Sequence, residues 1–401
     1  MSNKVTIQRF VNDPSESNMD NLISLAKINA FSDEEICYLA TCLAQSGDCL
    51  TLPKNIIAVD IPSTGGPSSL TTLICPLVLN ILGYWVPKLG VRGRPAGGID
   101  VLHQIPGYII EFSSAEILEC LNGCGYCHFL AASQHTPLDA KLFNYRSQVG
   151  ATAIPSLVIA SILAKKIAVG LQKTGLDVRV SPNGNFGTTW EQATFNSMRF
   201  VSIAKQVGIA ATCFLSDNTM LQQPYVGRGE ALLALKQIFE NQCSTYLKRH
   251  FERCISMCLE LHQNGCIEHS KILDELENHF KKNIQMQNGS WDGFIEKTEI
   301  IATSHTESLY AKKGGFLHIN SDKLKILLVK GQELCNTTNQ KFSDSCGVIF
   351  KKMDHELVSK GDVILTFRAE PSISSMIREN IKDVITIKER IDNRIDYKVI
   401  K

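Results

Sequence analysis

The sequence predicts an α/β protein with a β-rich C-terminal part, and three observations carry that expectation. Through the middle of the chain, short β-branched runs alternate with amphipathic segments. The N-terminal stretch carries apolar residues at helical spacing. From Gly314 onward the pattern changes to short strands joined by tight turns. A length of 401 residues suggests two or three domains.

Composition narrows the class. With 41 Lys+Arg against 40 Asp+Glu the formal net charge is +1, so no global positive field exists to hold nucleic acid or an acidic membrane surface. Hydrophobic residues at 44% and charged residues at 20% indicate a globular chain. The opening MSNKVTIQRFVNDPSESNMD lacks the apolar core of a secretory signal, and no run reaches the roughly 18 apolar residues of a membrane span. The fourteen cysteines are scattered without a small-domain disulfide spacing. They read as reduced, mostly buried thiols, and the expected location is cytoplasmic.

The elements follow in order. Asn21–Ile28 has helical periodicity, and Ser32-Asp-Glu-Glu35 opens a second helix, with Ser32 and Glu35 placed for a capping box. Asn55–Asp60 is a β-branched run typical of a buried strand. Pro62-Ser-Thr-Gly-Gly66 is a turn leading into the helix that starts near Ser68. Strand, glycine-rich turn and helix N-terminus in that order aim backbone N–H groups at an anion, although the same order often merely connects two elements. Pro87–Asp100 is a second glycine-rich loop, carrying Lys88, Arg92 and Arg94. It reads either as a solvated connection or as a further wall of an anion or sugar site.

Ala151–Leu171 is the clearest helix, with Pro155 in its first turn. Ser161 and Lys165 stand four apart and so project from one face. Leu176–Val180 and Val207–Leu215 read as strands, separated by a helix starting near Thr189; another helix covers Ala231–Phe239. Residues 241–310 are helical and more polar. Beyond them Gly315–Ile319, Lys325–Val329, Gly347–Phe350 and Asp362–Phe367 are expected strands.

Several motifs resolve to nothing catalytic. Cys124-Gly-Tyr-Cys127-His128 matches a haem-attachment pattern, and Cys120 adds a zinc-like spacing. That haem chemistry normally requires export, and a zinc site lacks a fourth ligand other than His135. The segment falls where an apolar strand is expected, so buried thiols are the reading and no metal is assigned. Neither a Gly-x-Ser-x-Gly elbow nor a Walker A loop occurs.

Taken together, the ordered motifs resemble the pyrimidine nucleoside phosphorylase family, in particular its thymidine phosphorylases, nearly end to end. Ser32-Asp-Glu-Glu with Ser46-Gly-Asp resembles the family's N-terminal helices, and Asp60-Ile-Pro-Ser-Thr-Gly-Gly66 its Asp-Lys-His-Ser-Thr-Gly-Gly phosphate loop. Arg92-Gly, Gly97-Gly98, Asp100 and Ile105-Pro-Gly107 resemble the next block. Lys141–Arg146 and Ser161–Lys166 look like the base-binding segment, and Val358–Leu365 like the closing β-domain. The resemblance implies a discontinuous helical domain (1–52 and 137–170) facing an α/β domain (53–136 and 171–310) across a cleft, with a β-rich domain over 311–401. It also implies a homodimer, and no organic cofactor or metal.

The resemblance assigns the pyrimidine base to Arg146, Ser161 and Lys165, with Arg146 and Lys165 also catalytic. The chemistry agrees: the base's carbonyl oxygens and ring N–H suit two cationic donors and a hydroxyl, and those cations stabilise charge on a departing base. The phosphate half departs from the pattern. Ile61-Pro62 replaces Lys-His, Gly90 stands where serine is expected, and a threonine after Gly98 is missing. Ser63, Thr64 and Thr72 remain as hydroxyl ligands, and Arg94 is the new charge proposed to replace the lysine. The expected activity is reversible phosphorolysis of a pyrimidine nucleoside to base and pentose 1-phosphate, with inorganic phosphate or a pentose phosphate as partner. A non-catalytic nucleoside-binding paralogue and a nucleoside hydrolase using water are the alternatives.

Overall fold

The computed structural model describes residues 3–28, 31–92, 98–130, 134–262, 268–336, 342–389 and 397–401. Three helices come first: α1 (Asn3–Asn12), α2 (Glu16–Ile28) and α3 (Asp33–Ala44). The Ser32 hydroxyl accepts from Glu35 N at 3.2 Å and the Glu35 carboxylate accepts from Ser32 N at 2.9 Å, which completes the expected capping box on α3. Replacing Ser32 by Ala is expected to cost about 1 kcal/mol, read as a lower urea midpoint with unchanged slope.

The α/β part runs β1 (Val59–Asp60), α4 (Thr71–Ile81), β2 (Val86–Gly90), α5 (Ile99–Leu102), α6 (Ser114–Cys124) and β3 (Tyr126–Leu130). Then come α7 (Pro137–Gln148), α8 (Pro155–Ala168), β4 (Lys173–Val180), α9 (Trp190–Gln206) and β5 (Ala210–Asp217). Strand β1 is parallel to β4, and β4 to β5. β2 and β3 form a second parallel pair, joined to the first sheet by a bridge between Ala58 and Trp85. Parallel strands buried on both faces need apolar side chains on both. Leu176, Val178 and Cys213 accordingly pack in one core with α3, α8 and α9. Phe214 and Ile61 pack in another with α4 and the helices that follow β5.

Those later elements are β6 (Tyr225–Gly227), α10 (Arg228–Phe239), α11 (Thr245–Leu261), α12 (His269–Met286), α13 (Trp291–Thr303) and β7 (Glu307–Tyr310). The C-terminal part contains β8 (Gly315–Ile319), α14 (Ser321–Leu334), β9 (Cys346–Phe350), β10 (Leu357–Val358), β11 (Val363–Ala369), α15 (Pro371–Asn380), β12 (Ile385–Lys388) and β13 (Tyr397–Ile400). Here one expectation is corrected. Lys325–Val329 lies inside α14 and is not a strand. The Asn320 side chain caps that helix by accepting from Lys323 N at 2.9 Å, and Leu324, Leu327 and Leu328 form a helical stripe buried under the β-layer. The last strand, β13, runs antiparallel to β5 and so returns the chain to the central sheet.

Two further properties bear on function. Among the described residues no helix is long and apolar enough to cross a membrane. Cys120 and Cys124 both direct their thiols at the Tyr126 carbonyl, at 3.3 and 3.0 Å, and Cys127 is buried in β3, as an apolar strand requires.

Candidate active site

Open parallel sheets present their ligand-binding loops at the carboxyl ends of the strands. At that edge the chain leaves β1 at Asp60 and forms the loop Ile61–Gly66. Asp177 of β4 pins this loop: Asp177 N donates to Pro62 O at 2.9 Å and Thr64 N donates to Asp177 O at 3.0 Å. The Thr64 hydroxyl accepts from Arg179 N at 2.9 Å. Gly66 has φ +96°, and a Cβ there would lie 2.5 Å from Asn218 Oδ1, so the position requires glycine twice over. The loop then enters α4, whose second residue is Thr72.

A cleft opens between this edge and helices α7 and α8. Ser63, Thr64, Thr72, Arg146, Ser161 and Lys165 all line it, so the structure brings together six of the residues expected from the sequence. Arg94 lies outside the described residues. Arg92 does not line the cleft: its Nε is 3.5 Å from Asp100 and its guanidinium sits 4.1 Å from the centre of the Phe342 ring.

On the helical side, Pro137 and Pro155 open α7 and α8 in the first turn of each. Lys165 Nζ donates to Ser161 Oγ at 2.9 Å, to Ser161 O at 3.0 Å, and to the buried carboxylate of Asp139. An ammonium has three N–H groups, so all three are committed. A carbonyl oxygen gains Lys165 by displacing one of these acceptors, and the Ser161 hydroxyl is the one that can turn and donate instead. Arg146 is buried and holds the α7–α8 connection. Its Nε donates to Ala151 O at 3.0 Å, Nη2 to Thr152 O at 3.0 Å and Nη1 to Leu157 O at 3.4 Å. Burial lowers Arg146 to about 10, against the opposing pull of Asp139. Two of its five N–H groups remain for a ligand. Phe143 and Ile162 add apolar walls suited to a flat ring.

On the sheet side stands a cluster of which the sequence reading named only Lys88, as part of a possible anion-site wall. Asp60 is fully buried and bridges two lysines: Lys88 Nζ donates to Oδ1 at 2.5 Å, and Lys166 Nζ to Oδ2. Lys88 Nζ also donates to Ile61 O at 3.2 Å. Burial would raise the Asp60 carboxyl, but Lys166 and Lys88 hold it well below the usual carboxylate range. Burial pushes Lys166 down, and Asp60 partly restores it. Both lysines and His128 line the cleft. One signal existed for this cluster: Asp60 closes an apolar β-branched run, and a carboxylate at the end of a buried strand needs a cation. Asp139 had a weaker one, seven residues before Arg146 on the same helix.

The chemistry available is therefore of two kinds in one cleft. Cations and a hydroxyl on α7–α8 suit the carbonyl and N–H edge of a heterocycle. Lys88 with the hydroxyls and backbone of the Ser63–Gly66 loop suits an oxyanion. Among the described residues no group of three or more His, Cys, Asp or Glu is arranged to hold a metal ion.

No family model matches the chain. Curated proteins do. The pyrimidine-nucleoside phosphorylase of Staphylococcus haemolyticus (strain JCSC1435) is 28% identical over 386 residues, covering 91% of this chain and 84% of that protein. The pyrimidine-nucleoside phosphorylase of Staphylococcus epidermidis (strain ATCC 12228) is 26% identical over 383 residues, with the same two shares. The thymidine phosphorylase of Mycoplasma genitalium is 27% identical over 358 residues, covering 85% of this chain and 84% of that protein. Among solved structures, anthranilate phosphoribosyltransferase from Thermus thermophilus is similar in fold. Its TM-score is 0.53 at 13% identity, over 75% of this chain and 94% of that one.

Proposed function

The chain is a divergent relative of the pyrimidine nucleoside phosphorylases, and from that premise we propose a pentosyltransferase that cleaves pyrimidine nucleosides with phosphate as acceptor. The observation carrying this reading is that Arg146, Ser161 and Lys165 line the same cleft as the Ser63–Gly66 loop and Lys88. The base binds against α7–α8, with Phe143 and Ile162 beside its ring. Lys165, once it releases one of its acceptors, and the two uncommitted N–H groups of Arg146 meet the base carbonyls.

In the reaction the C1′–N bond breaks, its electron pair leaving on the base, while a phosphate oxygen forms the new C1′–O bond. Charge develops on the base carbonyls, where Lys165 and Arg146 lower the barrier. The missing loop lysine is made good from β2: Lys88, which reaches the Ile61 carbonyl, supplies the fixed cation of the acceptor site. That assigns to Lys88 the role expected of Arg94. The helical segment 137–170 forms one wall of the cleft in this reading, with segment 1–52 packed behind it, and closure brings base and acceptor together. A homodimer through the helical segments is part of the same proposal.

The test is chromatography of full-length protein incubated with uridine or thymidine, with and without inorganic phosphate. Phosphate-dependent release of free base with pentose 1-phosphate is the expected result. Base release without phosphate, giving free pentose, replaces this reading by a hydrolase. Nucleoside binding with no base released at any phosphate concentration replaces it by a binding paralogue.

A further inference from the structure

His128 belongs to a motif that the reaction above leaves unused. It sits on β3 as the register partner of Lys88 on β2. Paired positions on neighbouring strands project to the same face, and both side chains line the cleft. The backbone at His128 is held from both sides by Gln287. The Gln287 side-chain oxygen accepts from His128 N at 2.9 Å, and its Nε2 donates to His128 O at 2.9 Å. His128 is 1% exposed, and among the described residues only its Nδ1 has a side-chain partner, the Tyr126 hydroxyl at 3.0 Å.

The other nitrogen, Nε2, faces Gly90. A Cβ at position 90 would come within 2.9 Å of Nε2 and 3.3 Å of Cδ2, so the ring occupies the space that a side chain there would need. The Tyr126 hydroxyl has no other hydrogen bond among the described residues. A phenol with no other acceptor donates to Nδ1, which leaves the proton of a neutral imidazole on Nε2. The ring is neutral: burial pushes His128 well below the ordinary imidazole range, and Lys88 and Lys166 outweigh the opposing pull of Asp60. Beside it, two lysines share one carboxylate, so the cluster carries one buried positive charge in excess. A buried excess cation favours an anion as neighbour.

We propose that His128 is a ligand of the acceptor anion, donating from Nε2–H to a tetrahedral oxyanion such as inorganic phosphate held by Lys88. The role within turnover rests on the pentosyl-transfer reading above, whereas the anion binding itself does not. Gly90 is the permissive partner, since any side chain there displaces the imidazole.

Titration calorimetry of the full chain with inorganic phosphate tests this, comparing wild type, His128→Leu, His128→Gln and Gly90→Ala. His128→Leu is expected to weaken phosphate binding by about tenfold or more, the loss of one hydrogen bond to a charged group. His128→Gln, whose amide still donates, recovers part of that loss, and Gly90→Ala weakens binding by displacing the ring. In turnover the KM for phosphate rises while the KM for nucleoside stays within a few-fold. Phosphate affinity in folded His128→Leu equal to that of wild type overturns the assignment, as does a wild-type chain that binds no phosphate. If His128→Leu does not fold, unchanged affinity in Gly90→Ala overturns it instead. The two readings fail separately. Phosphate binding through His128 without base release rejects the reaction alone, and phosphate-dependent base release with an unaltered phosphate KM in His128→Leu rejects His128 alone.

Discussion

Replacing Lys165 by Met is expected to lower kcat/KM for pyrimidine nucleoside cleavage by about two to three orders of magnitude, the usual cost of removing one donor from a site of developing negative charge. The side chain's position argues for an effect of that size. Its ammonium is partly shielded from water, lies against the Ser161 hydroxyl at 2.9 Å, and is paired with the buried Asp139 carboxylate. A cation so placed acts on the base in a poorly screened environment. The loss should fall on kcat as well as on KM, because the charge it meets is larger in the transition state than in the bound nucleoside. Circular dichroism of the variant separates this from unfolding, since Asp139 loses its partner too. Turnover within a few-fold of wild type in a folded Lys165→Met protein sinks the assignment.

The second large effect concerns stability. Asp60→Asn removes the single carboxylate shared by Lys88 and Lys166, leaving two buried ammonium groups without a counter-charge. Breaking a buried pair in this way costs about 3–5 kcal/mol, and a lower thermal midpoint at neutral pH is the readout. The pH dependence has a definite sign. The folded Asp60 carboxyl is held below its unfolded value, so its contribution is fully present above the unfolded carboxylate pKa of about 3.9. It is lost progressively as pH falls from that value through the lower folded one. Wild type should therefore lose stability at the acid end through this group, and the difference between wild type and Asp60→Asn should shrink there. A constant difference from neutral to strongly acidic pH contradicts the mechanism.

Much of the fold was legible because it is written in local patterns. The capping box at Ser32, the proline at the start of α8 and the alternation that yields β4, α9 and β5 are all short-range signals. Lys325–Val329 shows where such signals fail. An apolar run of that length fits a buried strand or a buried helix turn equally well, and the Asn320 cap decided for helix. The α7–α8 side of the cleft was legible in part for a similar reason: Ser161 and Lys165 are one turn apart on one helix, so their proximity is fixed by helical geometry.

The sheet side of the cleft was not legible in the same way. Reading along the chain, Ile61-Pro62 removes a lysine, and the search for a substitute stays within the neighbouring loop, at Arg94. Lys88 lies in that same stretch, twenty-seven residues from Ile61 in sequence, but only the fold brings its ammonium to 3.2 Å from the Ile61 carbonyl oxygen. His128 is further away still, and only the parallel register of β2 with β3 sets it opposite Lys88.

By itself, then, the sequence determined the fold class and, through the family resemblance, pointed to the loop after β1 and to the α7 and α8 residues that line the cleft. The elements and the Ser161–Lys165 proximity rest on spacing within single segments, the remaining site residues on the resemblance. Tertiary structure alone decided which side chains meet: Asp60 with Lys88 and Lys166, Asp139 with Lys165, and His128 beside Gly90. The reason is that strand pairing and helix packing bring together side chains with no periodic relation in sequence. In a buried cleft the Coulombic terms that set their behaviour depend on distance through space, not on separation along the chain.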